Sequence, residues 1–137
     1  MKKKTIRILV FVVIFSMLFS SIAFAAENSS AYIAATSAYI TYSGNDINVY
    51  FTVVGKRLMN EIGTSEILLY EQNGNTWRRV YTFYADNPAY TADMLSYNAS
   101  AKADHVTYSG DSTKNYSAIV YFYASDNNGS DTVVYYT

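Results

Sequence analysis

Apolar and polar residues alternate along most of the chain beyond residue 36, which is the pattern of strands with one buried face. The alternation is clearest where Ile47, Val49, Phe51 and Val53 fall on the same side of one segment. Tyr, Val, Ile and Thr, which favour extended backbone, supply most of the strand positions. The pattern predicts seven strands, over residues 37–43, 47–53, 65–72, 76–84, 101–108, 116–125 and 132–136.

Turn-forming residues separate these predicted strands. Asn73-Gly74 is a strong hairpin signal, as is the Asn-Gly pair at 128–129, because a type I′ turn needs positive φ at both central residues. Pro88 breaks the sheet, and residues 89–97 fit either a loop or one helical turn. Short strands with a turn every ~8–12 residues indicate an all-β domain, a seven-stranded antiparallel Greek-key β-sandwich.

The first 25 residues have the pattern of a cleavable signal peptide. Four basic residues precede an apolar run of about twelve residues, and residues 23–25 form an A-x-A cleavage signal. The run is shorter than the ~20 residues that span a bilayer, but residues 8–26 are mostly apolar, so an uncleaved anchor is the alternative. We expect a signal peptide at 1–25, a flexible lead-in at 26–36 and a single β-sandwich domain at 37–137.

Removing the leader makes the chain distinctly acidic. The leader contains four of the ten basic residues and none of the eleven acidic ones, so the mature chain has a net charge of −5. An acidic chain without a basic stripe binds nucleic acid poorly, so we expect no contact with nucleic acid. We also expect no contact with a membrane once the leader is cleaved. The chain has no cysteine, which excludes thiol catalysis and thiolate metal sites.

The segment around the sixth predicted strand resembles that of immunoglobulin-like and fibronectin type III-like domains. It carries the pattern Tyr116-x-Ala118-x-Val120-x-Phe122 after a Gly-Asp-Ser turn. In those domains a tyrosine near the start of this strand closes a corner by hydrogen bonding to the upstream backbone, and Tyr116 occupies the matching position. The resemblance implies an immunoglobulin-like sandwich, although the Cys…Trp…Cys set of true immunoglobulins is absent.

The whole chain also resembles a group of small secreted proteins of Gram-positive, Clostridia-type bacteria. The resembling segments are the leader, Asn60-Glu61-Ile62-Gly63 with the following strand, the hairpin at 73–77, and residues 106–110 before Tyr116. The resemblance implies secretion and a β-fold, and it implies no activity.

Few residues are candidates for catalysis or metal binding. His105 is the only histidine, and its neighbour Asp104 should point to the opposite face of a strand, which disfavours a triad. Glu61, Glu66 and Glu71 lie on or near one strand and make a weak carboxylate set for glycoside hydrolysis. The oxygen-rich turn at 126–131 has its glycine at the fourth position, where an EF-hand needs it at the sixth. We therefore expect no catalytic residues, no cofactor and no metal site.

Aromatic residues are the one feature that points to a binding surface. The chain has fifteen Tyr, none of them in the leader, and the sixth predicted strand is apolar on both faces. With Val120 and Phe122 inward, its remaining apolar side chains must point outward. Neighbouring strands should extend this surface into one aromatic face that consists of Leu68, Tyr70, Ile119, Tyr121, Tyr123, Val133 and Tyr135.

These observations predict a secreted, non-catalytic binding or adhesion module whose partner is a protein or a cell-envelope glycan. The alternative is a structural protein that self-associates into a homo-oligomer or surface layer, because the strand 132–136 has no lysine or proline to discourage edge pairing. A small hydrolase is the third and least favoured interpretation.

Overall fold

The computed structural model describes residues 30–137, which form one antiparallel sheet of six strands and a single helical turn. The predicted signal peptide, the alternative anchor and the start of the lead-in lie outside the described residues. In the part that is described, no helical segment has the length and apolarity that crossing a membrane requires. The elements are β1 (Ile33–Ser43), β2 (Asp46–Asn73), β3 (Thr76–Tyr84), α1 (Thr91–Met94), β4 (Leu95–Ser109), β5 (Tyr116–Asp126) and β6 (Gly129–Tyr136).

The long strand β2 organises the fold. Its first half pairs with β1 on one edge and β4 on the other, and its second half pairs with β3 and β5. The register shifts between Val54 and Met59 and again between Thr64 and Glu66, and such irregularities bend a strand. The sheet therefore curls into two layers, β1-β2-β4 and β3-β2-β5-β6, an arrangement compatible with a β-sandwich.

The interior lies between these two layers, as the alternation predicted. Phe51 and Val49 from the first half of β2 are buried, as are Val120 and Phe122 from β5, and Phe83 from β3 joins the same cluster. Burying an aromatic side chain of this kind stabilises a domain by about 3–5 kcal/mol relative to alanine. The predicted common face of residues 47, 49, 51 and 53 and the predicted inward direction of Val120 and Phe122 are thus confirmed.

The structure has six strands where the sequence predicted seven. The predicted strands at 47–53 and 65–72 are parts of the single strand β2, because residues 54–64 continue the pairing through two bulges. Glycines and charged residues interrupt the alternation there, so the sequence pattern does not show the continuity. β1 begins at Ile33, inside the segment predicted as lead-in, and β4 begins at Leu95, directly after the helical turn.

Candidate functional site

Five of the seven residues predicted on the aromatic face lie together on the outer side of the β3-β2-β5-β6 layer. Leu68 pairs directly with Ile119, and directly paired residues point to the same side of a sheet. Tyr70 lies two residues along β2 from Leu68, and Tyr121 and Tyr123 follow Ile119 at the same two-residue spacing. Leu68 is almost covered, at 8 % exposed, and the other four side chains are half-buried.

The predicted orientation of Val133 and Tyr135 is wrong. Val133 pairs with the buried Phe122 and Tyr135 with the buried Val120, so both side chains lie on the core side. The Tyr135 ring meets the Phe122 ring edge-on, with centroids 6.3 Å apart. In the run Val-Val-Tyr-Tyr, the residues on either face of the strand are apolar or aromatic. Only the register with β5 therefore determines which residues face outward.

Val134 and Tyr136 take the outward positions instead. Val134 pairs with Tyr121, and Tyr136 pairs with Ile119 and is 71 % exposed. We define the outer aromatic face by the side chains of Leu68, Tyr70, Ile119, Tyr121, Tyr123, Val134 and Tyr136.

A groove of about 570 Å³ opens at the end of this face where β2 bends. Its volume is in the range of small-ligand and peptide side-chain pockets. Carboxylates and phenol rings make up most of its polar lining, and Ser65, Ala85, Thr91 and Leu95 complete it. We call it the acidic groove, and its defining residues are Glu61, Glu66, Asp86, Tyr84, Tyr97 and Tyr123.

Strand register brings five of these six residues together, and Asp86 follows in the turn after β3. Glu61 pairs with Tyr97 of β4, and Glu66 pairs with Tyr84 of β3, so each carboxylate has a tyrosine beside it on the outer side. Tyr97 is 58 % exposed and Tyr84 is 49 % exposed, so both rings are accessible to a ligand. Tyr123 belongs to the groove and to the outer aromatic face, and therefore joins the two.

Gly63 lies at the bend of β2, between the strands β4 and β5 that carry Tyr97 and Tyr123 of the groove. It pairs with Leu95 of β4 on one edge and with Tyr123 of β5 on the other. A Cβ atom at Gly63 would overlap the backbone carbonyl oxygen of Met94. Only glycine therefore lets the end of α1 pack this closely against the bend of β2, with the Met94 side chain fully buried beneath.

Hydrogen bonds fix the wall that α1 contributes. The Thr91 hydroxyl donates to the Ala85 carbonyl oxygen at 2.7 Å, and the Ala89 N–H donates to the Asn87 side-chain oxygen at 3.0 Å. The Ala85 N–H in turn donates to the Ser65 carbonyl oxygen at 3.0 Å, which ties the wall to β2. The groove is thus held open by packed and hydrogen-bonded backbone.

The three carboxylates of the groove form no ion pair within residues 30–137. Neither Glu61 nor Glu66 nor Asp86 takes part in an ion pair or a side-chain hydrogen bond in this part of the chain. Like charges that share a concave surface focus a negative potential into it. The arrangement favours a positively charged or hydrogen-bond-donating ligand.

The other carboxylate named from the sequence, Glu71, lies elsewhere and is buried. Lys114 Nζ donates to Glu71 Oε1 at 2.9 Å, and the Tyr116 hydroxyl donates to Oε2 at 3.0 Å. These two hydrogen bonds hold the pKa of the Glu71 carboxyl below its usual range, against the opposing effect of burial. The Tyr116 hydroxyl also accepts a hydrogen bond from the Asp111 N–H at 3.0 Å, five residues upstream.

His105 lies on the outer side of the other layer, away from the groove. Its ring stacks on Tyr50 with centroids 4.8 Å apart, and Tyr50 stacks on Tyr39 at 5.2 Å. Asp104 accepts a hydrogen bond from the His105 backbone N–H at 2.9 Å and from Lys102 Nζ at 3.0 Å. Partial burial opposes the charge of Asp104, but these two bonds keep its pKa lowered.

The oxygen-rich turn at 126–131 uses its carboxylates to hold the fold. Asp126 binds the Arg57 guanidinium, with 2.7 Å between Nε and Oδ2, and Asp131 accepts a hydrogen bond from the Ala31 N–H at 3.3 Å. Within residues 30–137, no three His, Cys, Asp or Glu side chains cluster closely enough to hold a metal ion.

The groove was missed by sequence reasoning. The sequence indicates Glu61 and Glu66 only as members of a weak catalytic set with Glu71, and it places Tyr84 at a strand end and Tyr97 in a segment that fits a loop or one helical turn. Comparison with protein-family models, with curated proteins and with solved structures gave no match. The resemblance to small secreted Clostridia-type proteins therefore gains no support from these comparisons.

Proposed function

We propose that this chain is an exported, non-catalytic binding module that holds its partner on the outer aromatic face and in the acidic groove. The observation that carries the proposal is the position of Tyr123, which connects a half-exposed aromatic sheet surface to a pocket with accessible tyrosines and unpaired carboxylates. Contiguous apolar patches on a protein surface often mark sites of contact with a partner.

Tyrosine is well suited to this role. A phenol ring offers apolar contact area with few rotatable bonds, and its hydroxyl can remain hydrated or bond to a partner. The groove supplies charge beside these rings, which would orient a ligand. A protein segment or a cell-envelope glycan would each find apolar area and hydrogen-bond acceptors here.

Export and an immunoglobulin-like character belong to the same proposal. The basic and apolar leader with its A-x-A site supports export through a cleaved signal peptide. The packing of two antiparallel layers and the bond between the Tyr116 hydroxyl and the Asp111 N–H support a relation to Greek-key, immunoglobulin-like domains. The acidic charge of the mature chain supports a partner other than nucleic acid.

Self-association is the second candidate, and β6 is the observation that favours it. Among the described residues β6 pairs only with β5, and it contains neither lysine nor proline to block a further strand. Sedimentation velocity at high protein concentration tests this candidate. A homo-oligomer that dissociates when Val134 is replaced by Lys supports edge pairing, and a monomer throughout removes it.

A binding screen with matched variants tests the proposed function. The probes are insoluble peptidoglycan, cellulose and mucin, together with an array of short peptides of varied charge. We expect at least one probe to bind the native chain, and to lose about tenfold or more in affinity when Tyr121 and Tyr123 are both replaced by Ser. Tyr39→Ser is the control, because Tyr39 is exposed on the other layer. The proposal is contradicted if no probe binds, or if a probe binds the double variant as tightly as the native chain.

A further inference from the structure

We infer that the acidic groove binds a lysine or arginine side chain of a partner protein, with apolar residues of the same segment on the outer aromatic face. This inference rests on the proposed function and specifies its ligand. It starts from the charge of the groove, which has three carboxylates and, within residues 30–137, no lining Lys or Arg.

Three carboxylates elsewhere in the described part of the chain form ion pairs with basic side chains. Asp126 pairs with Arg57, Asp104 pairs with Lys102, and Glu71 is bound by Lys114. The three groove carboxylates form no ion pair in the described part of the chain. Glu61 and Glu66 lie on the paired strand β2, and Asp86 lies in the turn after β3. An external cation would supply the missing charge, and its removal from water would be offset by the tyrosine rings beside it.

The fold already contains one example of this chemistry. The Arg57 guanidinium carbon lies 5.2 Å from the centroid of the Tyr32 ring, while its Nε bonds to Asp126 at 2.7 Å. The guanidinium thus contacts a phenol face and a carboxylate at the same time. The pairs Glu61–Tyr97 and Glu66–Tyr84 present the same two groups side by side.

The shape of the site favours a peptide over a metal ion or a free amine. The carboxylates are too far apart to form a metal cluster within residues 30–137, and they are spread along an open groove. Tyr121 pairs with Glu66 on the same side of the sheet, so the aromatic surface begins where the groove ends. A segment with a basic residue next to apolar ones would fill both.

The test uses four short peptides in which one residue type is repeated between Leu and Val. That residue is Lys, Arg, Gln or Glu, and the four sequences are otherwise identical. Binding to the native chain is measured by fluorescence anisotropy at about 50 mM and about 500 mM NaCl. We expect the Lys and Arg peptides to bind about tenfold or more tightly than the Gln peptide, and the Glu peptide to bind weakest.

Charge-matched variants separate a specific site from general attraction. The double variant Glu61→Gln, Glu66→Gln removes two charges from the groove. The control, Asp46→Asn with Asp111→Asn, removes two charges from carboxylates that accept hydrogen bonds only from uncharged groups, which the amide oxygen can still accept. We expect the groove variant to lose about tenfold in affinity for the Lys peptide, and the control to lose less than about twofold.

Each other outcome has a defined meaning. An equal loss of affinity for the Lys peptide in both double variants would show attraction by net charge alone and would overturn the inference. Equal binding of the Gln and Lys peptides, dependent on Tyr121 and Tyr123, would overturn the inference and leave the proposed function standing. Binding of a glycan probe but of no peptide would likewise overturn the inference and leave the proposed function standing. No binding of any peptide or glycan would overturn both the inference and the proposed function.

Discussion

The Tyr116 hydroxyl donates a hydrogen bond to the buried carboxylate of Glu71, with 3.0 Å between the two oxygens. The same hydroxyl accepts a hydrogen bond from the Asp111 N–H, so one atom links β5, the C-terminal end of the long strand β2 and the turn before β5. Lys114, in the same turn, completes the set by binding the other oxygen of Glu71.

Replacing Tyr116 by Phe should therefore destabilise the fold by about 2 kcal/mol. The change leaves a buried charged acceptor and a backbone N–H without their partner, and a hydrogen bond to a charged group contributes about 1.5–3 kcal/mol. Urea denaturation at neutral pH measures the change in the free energy of unfolding. Tyr136→Phe is the control, because Tyr136 is 71 % exposed, and it should change that free energy by less than about 0.5 kcal/mol. A Tyr116→Phe protein as stable as the native one would contradict this role.

The pKa of Glu71 predicts how stability depends on pH. Because Lys114 and Tyr116 hold this pKa below its usual value in the folded state, folding is favoured when the carboxyl is ionised. The contribution is complete above the unfolded-state pKa of about 4.3 and is lost as the pH falls through the lower folded-state value. We expect the melting temperature of Glu71→Gln to fall less steeply than that of the native chain between about pH 5 and about pH 2. Identical slopes would contradict the assignment.

Gly63 should be one of the least replaceable residues of the chain. Gly63→Ala places a methyl group against the Met94 carbonyl oxygen, and relieving this overlap should cost about 3 kcal/mol and displace α1. Thermal unfolding measures the loss. Gly74→Asn is the control, because Gly74 has φ of +62° in open space and asparagine tolerates that conformation. If Gly63→Ala melts at the native temperature, the close packing of β2 against α1 is not needed.

Adjacent residues of β6 should respond differently to the same change. Tyr135→Ser should destabilise by about 2 kcal/mol because the ring packs against Phe122 in the core, whereas Tyr136→Ser should stay within about 0.5 kcal/mol. Denaturant titration of the two single variants measures both values. If Tyr136→Ser were the more destabilising variant, Tyr135 would lie on the outer side, as the sequence pattern predicts.

The sequence predicts the inner faces of the strands well because the alternation there has one clear phase. Val49 and Phe51 alternate with Asn48, Tyr50 and Thr52, so their inward direction follows from local pattern alone. In β5 both faces are apolar, and the inward direction of Val120 and Phe122 follows from their alternation with Tyr121 and Tyr123, whose hydroxyls favour the outer side. Val133 and Tyr135 have apolar neighbours on both sides, and their direction depends on pairing with β5, which is a long-range property.

The joined strand and the groove depend on long-range structure in the same way. β2 remains a strand through residues 54–64 because β4 and β5 pair with it and bulges absorb its bend, and nothing local to that segment indicates this. The groove collects residues from five elements and the loop before α1, so no single stretch of sequence reveals it. One local signal was available for Glu71: a charged residue in phase with Ile67 and Leu69 indicates a buried, paired carboxylate.

Binding of the Lys peptide to two single tyrosine variants tests the central claim most directly. Tyr97 and Tyr39 are 58 % and 56 % exposed, and they lie in the acidic groove and on the other layer respectively. We predict that Tyr97→Ser lowers the affinity for the Lys peptide by about fivefold or more, while Tyr39→Ser leaves that affinity unchanged. Equal affinity of the native chain and both variants would show that the groove is not the site of binding.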